Sequence, residues 1–319
     1  MTRAQPAAAC RPEAPVSIRV GIDENGLGSS LGPMLVTAVA ARVTDAGAKY
    51  LRRGLRGRLR QDIDDSKNLL SHKDFTLGEA WARALAPRPF RSPAELFESL
   101  SLEPLPSLQK SCPRHLVKQC WDARQEAFGA EANLLARIAG HRSRLRDRGV
   151  DIAAVRVVSV CAQRLNRQKA SGGNRFVSDL HAMESLVLGL REQLDQELVV
   201  TCGKVGGMSD YARFFGPLAG RLHTELEVSR ARSRYYFPGI GEVGFERGAD
   251  ERDPFVMLAS LVGKYMRELL MARVWRFYPS EPGADPVSGY HDPRTTRWVA
   301  ETRAARRRLR VVAECFQRN

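Results

Sequence analysis

The sequence lacks several features that would assign it to a common class. None of its six cysteines forms a Cys-x-x-Cys pair, and their spacing matches no common zinc pattern. Scattered single cysteines are typical of a reducing compartment, so a cytoplasmic location is expected. No apolar run reaches the roughly 18 residues that a membrane span needs, so no membrane association is expected. Residues 1–15 lack the apolar segment of a signal peptide and are expected to be a disordered leader.

Acidic residues are few relative to basic ones. The 319 residues include 50 Lys and Arg against 36 Asp and Glu, which gives a formal net charge of +14. Such an excess favours a polyanionic partner, because binding to phosphates releases their counterions. A coding bias that adds surface arginine would give the same excess, so charge alone does not identify the partner. The length and a hydrophobic content of 43% fit one large domain, or one domain with an insertion.

Alternating apolar residues predict the strands of a mixed sheet. A strand, a glycine-rich turn and a second strand at the start of the chain predict an antiparallel hairpin. The predicted strands cover residues 17–22, 34–43, 155–160, 198–202 and 243–245. Helical spacing predicts helices over residues 179–197, beginning at Asp179, and 255–275. Strands interleaved with helices predict an α/β fold, in which helices pack on the sheet.

The composition of residues 77–149 differs from that of the flanking chain. Prolines cluster near its start, and a charged, alanine-rich pattern over residues 116–148 predicts one long helix. We therefore expect 77–149 to be a largely helical insertion in a catalytic domain formed by 16–76 and 150–275. Residues 276–319 are expected to form a C-terminal segment with a basic helix from Thr295.

The segment with the most information is residues 20–33, Val-Gly-Ile-Asp-Glu-Asn-Gly-Leu-Gly-Ser-Ser-Leu-Gly-Pro. A strand ends in Asp23 and Glu24, and adjacent carboxylates repel each other unless a cation or a basic ligand lies beside them. Gly26 and Gly28 leave the following backbone unshielded, so a substrate could approach it closely. An ordinary hairpin with a polar corner would also explain this segment taken alone.

Further motifs follow in an order that makes the pattern more specific. Gly32-Pro33 closes the turn, and Asp65-Ser66-Lys67 lies on a later loop. Asp250 precedes a helix that carries Ala259-Ser260 and Lys264, and Gly289-Tyr290 follows that helix. Together with Gly21-Ile22-Asp23-Glu24, this order resembles the motifs of the type 2 ribonucleases H (ribonuclease HII), over roughly residues 16–75 and 155–295.

The resemblance implies a ribonuclease H-like fold and a two-metal nuclease that cuts RNA in RNA/DNA hybrids or in duplexes containing ribonucleotides. It implies Mg²⁺ or Mn²⁺ as the cofactor, held by Asp23, Glu24 and Asp250, because hard cations prefer oxygen ligands. It also implies that the backbone of the turn Gly26-Leu27-Gly28 contacts the ribose 2′-OH. Lys67 and Lys264 would contact phosphate or orient the carboxylates, and Tyr290 would stack at the RNA–DNA junction. We expect a monomer whose partner is nucleic acid.

Each of these residues also has an ordinary structural explanation. Asp250 could favour a helix N-terminus through the helix dipole, and Lys67 could be a solvated surface lysine. Lys264 could extend its ammonium to solvent from an apolar helix, and Tyr290 could be a core aromatic residue.

Two departures from the family pattern affect the predicted activity. The family has another aspartate at the end of a central strand, where this chain has Cys202 or, with a one-residue shift, Gly203. Neither is a good Mg²⁺ ligand, and Asp210 could compensate if its loop folds back. Leu27 replaces the arginine of the family's turn. These changes leave a second hypothesis open, that of a catalytically impaired homologue that binds nucleic acid without cutting it. A nuclease of the same fold that acts on another substrate, such as branched DNA, is a third.

Overall fold

The computed structural model describes residues 16–279 and 285–319. Seven strands form one mixed sheet in the order β3-β2-β1-β4-β7-β6-β5. The strands are β1 (Val16–Asn25), β2 (Met34–Thr44), β3 (Val150–Val160), β4 (Leu198–Gly203), β5 (Thr224–Val228), β6 (Arg232–Phe237) and β7 (Gly241–Glu246). The predicted α/β class, helices on a mixed sheet that opens with a hairpin, is confirmed. The predicted leader, residues 1–15, lies outside the described residues.

Strand direction decides which ends of the sheet meet. β1 pairs antiparallel with β2 but parallel with β4, and β4 pairs parallel with β7. The other neighbouring pairs are antiparallel. The carboxyl ends of β1, β4 and β7 therefore lie side by side at one edge, where open α/β sheets bind their ligands.

The helices of the described residues cover both faces of the sheet. They are α1 (Asp45–Arg52), α2 (Gly57–Asp62), α3 (Ser66–Leu69), α4 (Thr76–Leu85), α5 (Pro93–Leu100), α6 (Leu105–Gln109), α7 (Val117–Trp121), α8 (Ala132–Asp147), α9 (Ala162–Ala170), α10 (Arg175–Leu194), α11 (Ala249–Arg252), α12 (Pro254–Arg276), α13 (Pro293–Glu301), α14 (Arg303–Arg308) and α15 (Ala313–Phe316). None of them combines the length and the apolarity that crossing a membrane requires.

β1 supplies both faces of the core because its side chains alternate. Ile18, Val20 and Ile22 are buried with the apolar side of α10. Gly21 points to the other face, where α12 packs so closely that a Cβ at Gly21 would lie 2.2 Å from Phe255 C. β1 and the long helix α12 are therefore in direct backbone contact.

The single helix predicted over residues 116–148 is wrong, because tertiary contacts interrupt it. α7 ends at Trp121 and α8 begins only at Ala132. Between them, Glu126 forms a buried ion pair with Arg273 of α12, with 2.5 Å between Oε1 and Nε. The Gly129 N–H donates to Glu79 of α4 over 2.8 Å. These buried carboxylates hold the segment in a non-helical path. The division into domains stays a prediction.

Other element boundaries also differ from the predictions. α10 begins at Arg175 instead of Asp179, because Asn174 Oδ1 caps it by accepting from the Val177 N–H. β5 and β6 had no counterpart in the predicted strands. The basic C-terminal helix is divided into two short helices, α13 and α14, which meet at Thr302.

Candidate metal and nucleic-acid site

The edge at which the parallel strands end opens into a cleft of about 1030 Å³. Asp23 and Glu24 lie near the end of β1, and Gly203 is the last residue of β4. Asp250 lies on α11, directly after β7. The three acids expected to hold metal, far apart in sequence, therefore lie on one cleft because their strands are parallel neighbours.

The cleft contains every residue that the sequence predicted for the site. Those residues are Asp23, Glu24, Gly26, Leu27, Gly28, Lys67, Asp250, Lys264 and Tyr290. Their separate roles stay predictions, but the fold brings them to the same place. Sequence reasoning did not name three basic residues that also line the cleft, namely Lys204, Arg230 and Arg247.

The two carboxylates at the end of β1 lie in an environment that disfavours negative charge. Burial, reinforced by the charge of Glu24, raises the pKa of Asp23 well above its ordinary value of 3.8. Burial, followed by the charge of Asp179, raises the pKa of Glu24 to about 8. The charge of Asp250 acts in the same direction on both groups. A cation that neutralises this cluster would therefore be bound favourably.

Lys67 is the side chain with positive charge closest to Asp250 among the described ion pairs. Its Nζ lies 3.5 Å from Asp250 Oδ2 and 3.4 Å from Asp65 Oδ2. Asp65 caps α3 by accepting from the Lys67 N–H, and Ser66 Oγ lies 2.8 Å from Ser260 Oγ on α12. The Asp-Ser-Lys loop is thus fastened to the helix behind the cleft. Lys67 remains largely exposed, so its ammonium can also face a substrate.

Lys264 is held differently from Lys67. It lies on α12, and its Nζ donates to Glu268 Oε1 over 2.6 Å. Glu268 also accepts from Arg267 Nη1, at 2.8 Å. Lys264 therefore lines the cleft with a positive charge, and its ion pair with Glu268 fixes its position.

Two arginines that the sequence analysis did not identify lie against the glycine-rich turn after β1. Gly26 has a positive φ of 82°, and a Cβ there would lie 2.4 Å from Arg267 Nε. The Arg318 side chain donates to the carbonyls of Gly32 and Gly26. Burial, followed by the charge of Arg267, lowers the pKa of Arg318 to about 9. A guanidinium therefore binds the turn through Arg318, although Leu27 itself carries no charge.

Tyr290 lies at the same turn. Its ring centroid is 4.5 Å from the guanidinium carbon of Arg267, a cation–π contact. The carbonyl of the preceding Gly289 accepts from the backbone N–H groups of Ser30 and Leu31. The Gly-Tyr motif is thus hydrogen-bonded to the glycine-rich turn, although the two lie far apart in sequence.

The structure distinguishes the two positions at which a carboxylate was expected on β4. Cys202 faces the apolar core with α10, where burial raises the pKa of its thiol well above the ordinary value. Gly203 faces the cleft, and a Cβ there would lie 3.7 Å from both Asp23 Oδ1 and Glu24 Oε2. The missing acid thus corresponds to Gly203. Asp210 does not replace it, because its carboxylate binds Arg213 at 2.7 Å and caps Ala212.

Asp179 is an acid of this region that the sequence analysis took for the start of a helix. It lies on the first turns of α10, is fully buried, and neither carboxylate oxygen has a partner among the described residues. Burial, followed by the charge of Asp23, raises the pKa of Asp179 well above its ordinary value. An acid within an otherwise apolar helical stripe was the available sequence signal.

The residues fit a hard divalent cation by their chemistry. Asp23, Glu24, Asp179 and Asp250 are oxygen donors close enough for their charges to interact, and one has no hydrogen-bond partner. No three His, Cys, Asp or Glu side chains of residues 16–279 and 285–319 are placed to hold one ion as they stand. Binding an ion would therefore require these side chains to move together.

No protein-family model and no curated protein sequence matches this chain. Among solved structures it is similar to the ribonuclease HII of Archaeoglobus fulgidus, determined in a complex with PCNA. The two chains are 16% identical, 94% of this chain and 93% of that chain are covered, and the TM-score is 0.43. The ribonuclease H2 of Pyrococcus horikoshii OT3 gives 16% identity, coverage of 94% and 92%, and a TM-score of 0.42. Bst-RNase HIII in complex with Mn²⁺ is 13% identical to this chain, with 94% of this chain and 77% of that chain covered and a TM-score of 0.41.

Proposed function

We propose that this chain is a divergent ribonuclease H of type 2, which hydrolyses the RNA strand of RNA/DNA hybrids with the help of Mg²⁺ or Mn²⁺. The observation that carries this proposal is the meeting of Asp23, Glu24 and Asp250 in one cleft at the ends of three parallel strands. The ordered motifs that place these acids are those of the family that the sequence resembles. Five free cysteines among the described residues fit the expected cytoplasmic location.

In this proposal the chain's own residues bind and orient the substrate. Lys67, Arg230 and Arg247 line the cleft and would contact phosphates. The turn at Gly26, which Arg318 bonds and Arg267 packs against, would present its backbone to the ribose, and the ring of Tyr290 would lie against the junction. Asp23, Glu24 and Asp250 would hold the cations. Bound divalent ions supply charge stabilisation for the attacking and leaving oxygens of a phosphodiester.

Cleavage of a labelled hybrid tests the proposal. We expect the full chain with Mn²⁺ or Mg²⁺ to cut the RNA strand of a hybrid or a duplex with one ribonucleotide, and Asp23→Asn to reduce the rate by at least a hundredfold. Asp45→Asn is the matched control, because Asp45 is exposed at the opposite end of the sheet. If no substrate of this panel is cut with either metal, the nuclease proposal is wrong.

A second candidate function has its own support in Gly203, where no carboxylate faces the cleft. Loss of one ligand weakens a two-ion site, so the chain could bind hybrid duplex without cutting it. That function predicts salt-sensitive hybrid binding in EDTA, unchanged by Mn²⁺ and without cleavage. The cleavage assay and a binding titration together separate the two candidates.

A further inference from the structure

We propose that Asp179 of α10 supplies to the divalent-ion site the carboxylate that β4 lacks at Gly203. This inference rests on the proposed function, since it concerns the ions of the same cleft. In this proposal one ligand of the site comes from helix α10 and not from strand β4.

The first step is the burial of Asp179 without a partner. The side chain is 0% exposed, and both Oδ1 and Oδ2 lack a hydrogen bond among the described residues. Buried polar atoms in proteins nearly always have a partner, and an isolated buried carboxylate is costly in free energy. A bound cation would satisfy both acceptor oxygens.

The second step is the position of Asp179 beside the acids of β1. α10 packs on the sheet face that carries Ile22 and Cys202. Of the charged groups that act on Glu24, Asp179 has the largest effect, and the charge of Asp23 acts on Asp179. The basic residue on the same end of α10, Arg175, donates to the Leu27 carbonyl and does not pair with Asp179.

The third step is the space at Gly203. A Cβ there would make only ordinary contacts, at 3.7 Å, with Asp23 Oδ1 and Glu24 Oε2. An aspartate at this position would thus point into the acid cluster without displacing the backbone. The chain has room for the strand acid but lacks it, while an unpartnered acid lies on the neighbouring helix. Exchange of one ligand position for the other explains both observations.

Calorimetric titration of the full chain with Mn²⁺ tests the exchange. We expect Asp179→Asn to weaken Mn²⁺ binding at least tenfold, and Gly203→Asp in the same chain to restore most of that loss. The matched control is Asp210→Asn, which removes an acid of the neighbouring loop that binds Arg213. A thermal melt without ions checks that Asp179→Asn still folds, because the amide replaces a buried carboxyl of nearly the same size.

The outcomes separate this inference from the proposed function. If wild type binds Mn²⁺ and Asp179→Asn binds it equally well, Asp179 is only a protonated core residue and the inference is overturned. Failure of Gly203→Asp to restore binding also contradicts the exchange. If wild type neither binds Mn²⁺ nor melts at a higher temperature in its presence, the metal-dependent function and this inference both fail.

Discussion

Glu184 shows how a single buried carboxylate shapes the loop that follows β4. It lies on α10, and its Oε2 accepts from the backbone N–H groups of Gly216 and Leu218, at 3.0 and 2.8 Å. Oε1 has no partner among the described residues. Burial raises the pKa of Glu184 from 4.5 to about 7, although the two backbone donors oppose the shift. The folded state therefore favours the protonated, neutral form of Glu184.

The stability of the chain should depend on the protonation of Glu184. Because its pKa is higher in the folded state, its contribution to stability is full below about pH 4.5 and is lost as the pH rises to about 7. Glu184→Gln stays neutral, so we expect it to match wild type near pH 5 and to be roughly 2 kcal/mol more stable near pH 8. Urea unfolding at both pH values measures this difference.

The exposed Glu192 on the same helix provides the control for that measurement. Glu192→Gln should follow the wild-type pH dependence. A Glu184→Gln variant that loses stability with pH as steeply as wild type would show that Glu184 titrates normally.

At the scale of elements, short-range patterns predicted most of the central sheet and its two long helices. β1, β2 and α12 have apolar periods that burial in the core selects, so the predictions of residues 17–22, 34–43 and 255–275 were close to the observed bounds. The segment after Trp121 was not predictable in this way, because Glu126 and Gly129 are held by residues far away in sequence. The ion pair overrides a local helical preference.

The same distinction holds for the site. Asp23 and Glu24 were visible as an acid pair at a strand end, whereas Asp250 needed the spacing of the family's motifs. Asp179 and Arg318 were missed because their roles depend on neighbours that are distant in sequence: the acids of β1 for Asp179 and the glycine-rich turn for Arg318. Burial without a partner is a property of the fold, so the sequence alone could not reveal it.

The contact between β1 and α12 should be sensitive to one methyl group. A Cβ at Gly21 would lie 2.2 Å from backbone atoms of Phe255 and Val256, which cannot rotate away. We expect Gly21→Ala to lower the free energy of unfolding by at least about 2 kcal/mol, because α12 must move from the sheet. It should also weaken the response to Mn²⁺, since α12 carries Ser260 and anchors Lys67's loop. Thermal melts with and without Mn²⁺ measure both effects.

Gly28→Ala is the control for this substitution. A Cβ at Gly28 has no neighbour within 4 Å, so the melting temperature should stay near that of wild type. Equal melting temperatures for Gly21→Ala and Gly28→Ala would mean that the helix and the strand are not in tight contact.

For the whole molecule, the position of positive charge matters more than its total. The net charge is +14, yet many arginines of the described chain are engaged in ion pairs, as Arg137, Arg164 and Arg234 are. Arg230 and Arg247 are exposed on the cleft and form no ion pair among the described residues. They are therefore the side chains best placed to neutralise phosphates of a bound duplex.

Salt dependence of hybrid binding distinguishes this local arrangement from general basicity. Each phosphate contact contributes close to one unit to the slope of log K against log salt concentration. We expect Arg247→Gln to reduce the magnitude of that slope by about one unit and to weaken binding at low salt. Arg42→Gln removes the same charge from the far end of β2, where Arg42 is exposed opposite Ile18, and should leave the slope unchanged. Fluorescence anisotropy with a labelled hybrid in EDTA over a range of salt concentrations measures both slopes. Equal effects of the two variants would mean that hybrid binding depends on total charge. The cleft would then not be the binding surface.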